Sequence, residues 1–251
     1  MIKKIIISIF IFTLLTGCGK FREYKTNFSV FSSDVNITLY TKNKKQAQNA
    51  IRDIKNIYLK YDNYLKEFDK GTISGELQSV LNSIIDLSKK TKNIKLDYKI
   101  DTNTIFAKDD NIKYFIQSFA HNEVYEYLKD KSISKFFISL DGYVLAGYPY
   151  RKNYFLVGIS SPFDASIIKM LEIKNKHVIT KNINQISDVN DKNGNISISI
   201  VTNDLKFGDF LAFDLLLMSP NDSIDYIEDN NIEAILCYYK NGKEKVYVNV
   251  D

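Results

Sequence analysis

The sequence predicts an α+β fold: a mixed sheet covered by helices, with a helix-rich first third and a strand-rich remainder. Three observations carry that expectation. Apolar residues recur at helical spacing through 44–65 and again through 76–90. From residue 136 onward, short apolar runs are punctuated by turn pairs, Asp141-Gly142 and Asn241-Gly242, the second being a strong hairpin signal. Between those turns, Ile196–Val201 alternates apolar and hydroxyl side chains as a half-buried strand does. It feeds Phe210–Met218, a run too apolar for a solvent-facing helix.

In chain order, Val35–Tyr40 reads as a strand. The first helix then carries Ala47, Ala50, Ile51, Ile54, Ile57, Tyr58, Tyr61 and Leu65 at helical spacing, and the second carries Leu77, Val80, Leu81, Ile84, Ile85 and Leu87 on its buried side. Thr91–Asp110 lacks a period and holds two short extended pieces, Ile94–Ile100 and Thr104–Ala107. Ile112–Ile116 reads as a strand and Asn122–Lys131 as a helix. Strands follow at Phe136–Leu140, Tyr143–Ala146, Tyr154–Ile159, Ile167–Ile173 and Val178–Thr180, then a polar loop from Asn182 to Asn195. After the strand and helix described above come a short helix at Ser223–Asp229 and strands Glu233–Tyr239 and Glu244–Val250.

A chain of 251 residues with 17 Tyr, 16 Phe and only 3 Pro can bury one substantial core and leaves little room for long linkers. Its net charge is +4, two of those charges being Lys3 and Lys4 near the N-terminus. The other lysines are interspersed with Asp and Glu, so no basic stripe supports nucleic-acid binding. Met1–Lys4 is a basic start, Ile5–Leu15 an apolar run too short to span a bilayer, and Leu15-Thr16-Gly17-Cys18 resembles a bacterial lipobox. The expected organisation is a signal peptide over 1–17, a tether over 18–28 beginning at lipidated Cys18, and one domain over 29–251. That places the domain outside the cytoplasm, lipid-anchored to a bacterial membrane. Cys237, the other cysteine, reads as a packed strand residue.

The order of segments resembles the ApbE family of FAD:protein FMN transferases. VNITLY, YDNYLKEF, SGELQSVLNSIIDLSKKT, LDGYVLAG, FLVGISSP, HVITKN and ISIVTNDLKFGDFLAFDLLLM stand where that family has its strands, helices and glycine turns, over about 200 residues. The resemblance implies FAD, a Mg2+ ion on its pyrophosphate, and transfer of FMN to a hydroxyl of a membrane protein. Asp209 falls at the family's metal-ligand aspartate. Four residues on, where the family has another oxygen ligand, stands Phe213. The family's Asp-Leu-Gly-Gly-x-Ala-Lys-Gly becomes Phe115–Asn122 without its aspartate, glycines or lysine. In LDGYVLAG an aspartate has become Tyr143, and in HVITKN a serine has become Lys181.

The candidate site residues are therefore few. Asp209, at a strand-to-helix join, is read either as a helix-start charge or as a metal ligand, with Asp204 and Thr180 as further oxygen donors. Asp141 and Gly142, by default a turn, and Asp188 are the candidates for lining a flavin cleft. His121 and His177 have no metal-ligand spacing and read as structural. Three expectations follow: a lipoprotein of this family whose flavin and metal motifs are eroded; an active Mg2+-dependent transferase; or a flavin-binding protein without transferase activity.

Overall fold

Alternating side chains build the central sheet of the computed structural model, which describes residues 20–94, 96, 98–101, 104–107, 112–185 and 194–250. Its strands are β1 (Arg22–Val30), β2 (Ser33–Thr41), β5 (Phe136–Leu140), β6 (Tyr143–Ala146), β9 (His177–Asn182), β10 (Asn195–Thr202), β11 (Ala234–Lys240) and β12 (Lys243–Asn249). They lie in the order β1-β2-β5-β6-β9-β10-β11-β12. Two short ribbons stand apart, β3 (Tyr98–Asp101) with β4 (Thr104–Ala107), and β7 (Phe155–Ser160) with β8 (Ile167–Ile173). The α+β class is the expected one. The mixed sheet of that expectation is, in pairing, antiparallel throughout the described strands.

Helices cover one face. The first, α1 (Lys44–Asp69), starts at Asn43, whose side chain accepts the N–H groups of Lys45 and Gln46, and buries Ala47, Ala50, Ile54, Tyr58, Tyr61, Tyr64 and Phe68 as one stripe. Behind it come α2 (Gly75–Ser88), capped by Ser74, and α3 (Ile112–Asp130). Last are α4 (Leu205–Leu217) and α5 (Pro220–Asp229), the latter with Ser219 as cap and a proline in its first turn. α1 packs on β1 and β2, α4 on β9 and β10, and α3 between α1 and α4. On the sheet's other face the β7–β8 ribbon closes a smaller core of Ala146, Val157, Ile159, Leu171, Ile173, Val178 and Ile235. The result is three layers, and β9 belongs to both cores: Ile179 faces the helices and Val178 the ribbon.

Two expectations need correction. Ile112–Ile116 is the first part of α3 rather than a strand. Nine residues of that helix are buried, Phe115, Ile116, Phe119 and His121 among them. A helix covered on most sides shows no amphipathic period, and its apolar run imitates a strand. The stretch 18–28, read as a tether, is strand from Arg22 onward, with Tyr24, Thr26 and Phe28 less exposed than their neighbours. The fold therefore starts before residue 29. Every described helix and strand lies between Arg22 and Asn249, so the chain from Gly19 onward carries all of them. Among the described residues no helix is long and apolar enough to cross a membrane.

Side-chain hydrogen bonds fix α4 in place. Asn195 Nδ2 donates to the carbonyls of Leu215 and Met218 and to Ser223 Oγ, tying the end of α4 to β10 and α5. Asp214 accepts the backbone N–H groups of Lys92 and Asn93, which pins the loop after α2 against it.

Candidate functional site

The helix-start task considered for Asp209 falls instead to Asp204. Asp204 is the N-cap of α4: its Oδ1 accepts the Phe207 N–H at 3.0 Å, and it is exposed. Asp209 sits a turn further in, with 0% exposure, facing the sheet. Gly208 makes that approach close. A Cβ there would stand 2.7 Å from Thr202 Cγ2 and 3.1 Å from Ile179 Cδ1, so the glycine serves helix-on-sheet packing.

Across from Asp209 stands a cation that belongs to the chain itself. Lys181, on β9, places Nζ 2.9 Å from Asp209 Oδ1, the two side chains being 1% and 0% exposed. Lys181 Nζ also donates to Tyr143 Oη at 2.6 Å, and Tyr143 Oη donates to the same Asp209 oxygen at 2.8 Å. Ammonium, phenol and carboxylate close a triangle from β9, β6 and α4. Burial pushes the Asp209 carboxyl above its usual range, against the opposing pull of the Lys181 charge and of hydrogen bonds from Lys181 and Tyr143. Burial and then the Asp209 charge raise the Tyr143 phenol well above its usual value, so it stays a hydroxyl donor.

Aromatic rings complete the enclosure. Lys181 Nζ lies 4.6 Å from the ring centroid of Tyr143, 5.0 Å from that of Phe213 and 5.6 Å from that of Tyr114. Phe213 is four residues after Asp209, hence one turn along the same helix face. Beside the triangle, the His121 ring lies 4.1 Å from the Tyr143 ring, with Nδ1 3.0 Å from Tyr58 Oη. Burial lowers the His121 pKa to about 3 and the His177 pKa to about 4, so both are neutral imidazoles. Asp209 Oδ2 and His121 Nε2 are buried without a hydrogen-bond partner.

This arrangement does not suit a divalent cation. Mg2+ wants several oxygen ligands and no competing positive charge. Here the single carboxylate is paired to an ammonium and the next helical turn offers a phenyl ring. Thr180, next to Lys181 on β9, points to the opposite face, where its hydroxyl is 2.8 Å from Ser199 Oγ. Asp204 is occupied at the helix start. The three candidate metal ligands therefore do not converge, and among the described residues no group of three or more His, Cys, Asp or Glu could hold a metal.

The flavin-cleft candidates lie on the other side of the sheet. Asp141, Gly142 and Thr180 line a cleft of about 510 Å³ beside the later part of β7 and the turn that follows it, together with Asp34, Ser160 and Asn182. Gly142 has φ +77°, and a Cβ there would stand 2.6 Å from the Thr180 carbonyl oxygen, so turn and strand crossing both require glycine. Asp188 and Cys18 lie outside the described residues. Cys237 is buried in β11, as expected.

Lys181 carried a signal that sequence reasoning passed over. Ending the strand at Thr180 put the lysine in a loop, whereas continuing the alternation gives it the same inward parity as Ile179.

No family profile matches this sequence, and no curated protein matches it. Solved structures do. The flavin transferase ApbE from Vibrio cholerae superposes with a TM-score of 0.68 over 91% of this chain and 97% of its own, at 13% identity. The apo flavinyl transferase ApbE of Pseudomonas stutzeri gives 0.69 over 92% and 95%, at 11% identity. The ApbE protein of Thermotoga maritima gives 0.65 over 89% and 96%, at 12% identity. At low sequence identity but with the same architecture along nearly its whole length, the chain has the fold of the ApbE flavin transferases.

Proposed function

We propose that this chain is an extracytoplasmic lipoprotein, anchored through Cys18, on an ApbE-like scaffold whose Mg2+-dependent flavin-transfer chemistry has been given up, leaving a binding or structural protein. The observation that carries this reading is the Lys181–Asp209 pair. At the position where the family resemblance implies a metal-ligand carboxylate, the protein supplies its own monovalent cation and seals it under Tyr114, Tyr143 and Phe213. An ammonium balances one carboxylate charge but neither bridges phosphate oxygens as a divalent ion does nor leaves an open coordination position. The glycines and lysine missing from Phe115–Asn122 support the same reading, since that stretch is interior helix here. The cleft at Asp141, Gly142 and Thr180 is also lined by Tyr143, a member of the triangle with Lys181 and Asp209, and is the concave polar surface offered for binding. Nucleic acid is not a partner on this reading.

The test is to incubate the chain from Gly19 with FAD and Mg2+, desalt it, and record flavin absorbance on the protein together with AMP release. The expected result is neither retained flavin nor AMP. Retained, unchanged FAD would support a flavin-binding protein without transferase activity. Mg2+-dependent AMP release, lost in Asp209→Asn, would establish an active transferase with a substituted site and overturn the proposal.

A further inference from the structure

The surface where the chain leaves the described fold toward Cys18 has a composition of its own. Phe21 packs its ring 5.5 Å from that of Tyr150, and the ammonium groups of Lys42 and Lys135 lie 5.4 Å and 5.6 Å from the Phe21 centroid. Tyr150 carries the Arg151 guanidinium 4.9 Å from its own centroid. Tyr148, two residues before, is 43% exposed. Arg151 holds a left-handed backbone, φ 62°, at the bend that presents these side chains. The one carboxylate close by on β1, Glu23, is occupied by the Tyr40 hydroxyl and by Lys25. Partly exposed Phe21 and Tyr150 with cations over their faces, beside the exposed Tyr148, match the requirements of a headgroup layer: amphipathic rings at the interface and cations toward anionic lipid.

Chain reach gives the patch its orientation. Phe21 is three residues from Cys18, and three extended residues span about 11 Å at most. A lipid on Cys18 would hold this end of β1 and β2 against the bilayer. We propose that Phe21, Tyr148, Tyr150, Lys42, Lys135 and Arg151 form a membrane-docking face that binds an anionic lipid surface and fixes how the domain stands on it. The orientation rests on the lipid-anchor reading above; the affinity for anionic lipid does not. It has a consequence for the cleft. Asp34 and Asn36, which line it, lie at the other end of β2, about 20 Å along the strand from Thr41. The cleft then opens away from the bilayer, toward a soluble partner or ligand.

The chain contains no tryptophan, so a single introduced one reports its own surroundings. Chains from Gly19 carrying Tyr150→Trp or, on the far edge strand, Val246→Trp are mixed with acyl-brominated phosphatidylcholine vesicles with or without phosphatidylglycerol. The expected result is quenching of Tyr150→Trp only in vesicles containing phosphatidylglycerol, reversed by salt, and none of Val246→Trp. Lys42→Glu, on an exposed loop residue, should lower partitioning at least about fivefold, and Lys135→Glu with Arg151→Glu should lower it further. Absence of quenching for Tyr150→Trp, equal quenching at both positions, or full binding by charge-reversed protein with native circular dichroism would overturn the proposal. The anchor is tested separately by palmitate labelling of the full-length chain and of Cys18→Ala. Unlabelled wild type would sink the anchor and the orientation, while the quenching result would still decide the lipid affinity.

Discussion

Replacing Lys181 with Met keeps the length of the side chain and removes its charge. Asp209 then has a buried carboxylate with only the Tyr143 hydroxyl left beside it, since Oδ2 already lacks a partner. Breaking a buried pair from one side costs about 3–5 kcal/mol, because the surviving charge is uncompensated. Against a typical domain stability of about 5–15 kcal/mol, that is a large fraction. The cost depends on pH. The Asp209 carboxyl is already raised above its unfolded value of 3.8, and Lys181 is the leading influence pulling it back down. Without Lys181 it rises further. A group whose folded pKa exceeds its unfolded one contributes stability fully below the unfolded value and loses it as pH rises through the folded value. The deficit of Lys181→Met relative to wild type should therefore grow as pH rises above the wild-type folded value of Asp209, which itself lies above 3.8. Asp209→Asn strands the ammonium instead and should cost a similar amount. The double variant leaves no buried charge, so its loss should fall several kcal/mol short of the sum. Urea unfolding followed by far-ultraviolet circular dichroism at pH 5 and pH 8 measures all four corners of the cycle. Additive losses, or a Lys181→Met deficit independent of pH, would refute the argument that this pair is the charge balance of the interior.

Three further outcomes are expected. Asp204→Ala should cost about 1 kcal/mol, the loss of a helix cap, while Asp209→Ala should cost at least about 3 kcal/mol; comparing their urea midpoints separates the cap from the ion pair. Gly142→Ala should cost about 1–3 kcal/mol through its φ of +77° and the clash with the Thr180 carbonyl, read as a lowered thermal midpoint. His121 and His177 are neutral with pKa values near 3 and 4, below the ordinary 6.5, so their stabilisation is present above pH 6.5 and lost as pH falls toward those values. Each should remove up to about 1.4 kcal/mol per pH unit in that window, seen in urea midpoints at pH 7 and pH 5.

How much of this was legible depended on whether a local pattern carries the information. The Asn241-Gly242 hairpin was: both residues adopt positive φ, 53° and 70°, which Asn-Gly tolerates and few other pairs do. So were α1 and α2, whose single apolar stripes record one buried face each. β1 and α3 were not. β1 alternates polar residues of unequal exposure, and α3 is buried on too many sides to keep a period. The site divides the same way. Phe213 was visible as a departure from the resemblance, because it stands in line four residues after Asp209. The Lys181–Asp209 pair was not, because the two are 28 positions apart and meet only when α4 lies across β9. A lysine with the parity of Ile179 is nevertheless a statement about charge: an ammonium placed inside a core requires a carboxylate facing it. Asp209 is that carboxylate, and its 0% exposure follows from the same requirement read from the other side. Lys181 and Asp209 therefore go together physically, since either one alone would leave an unbalanced charge under the sheet.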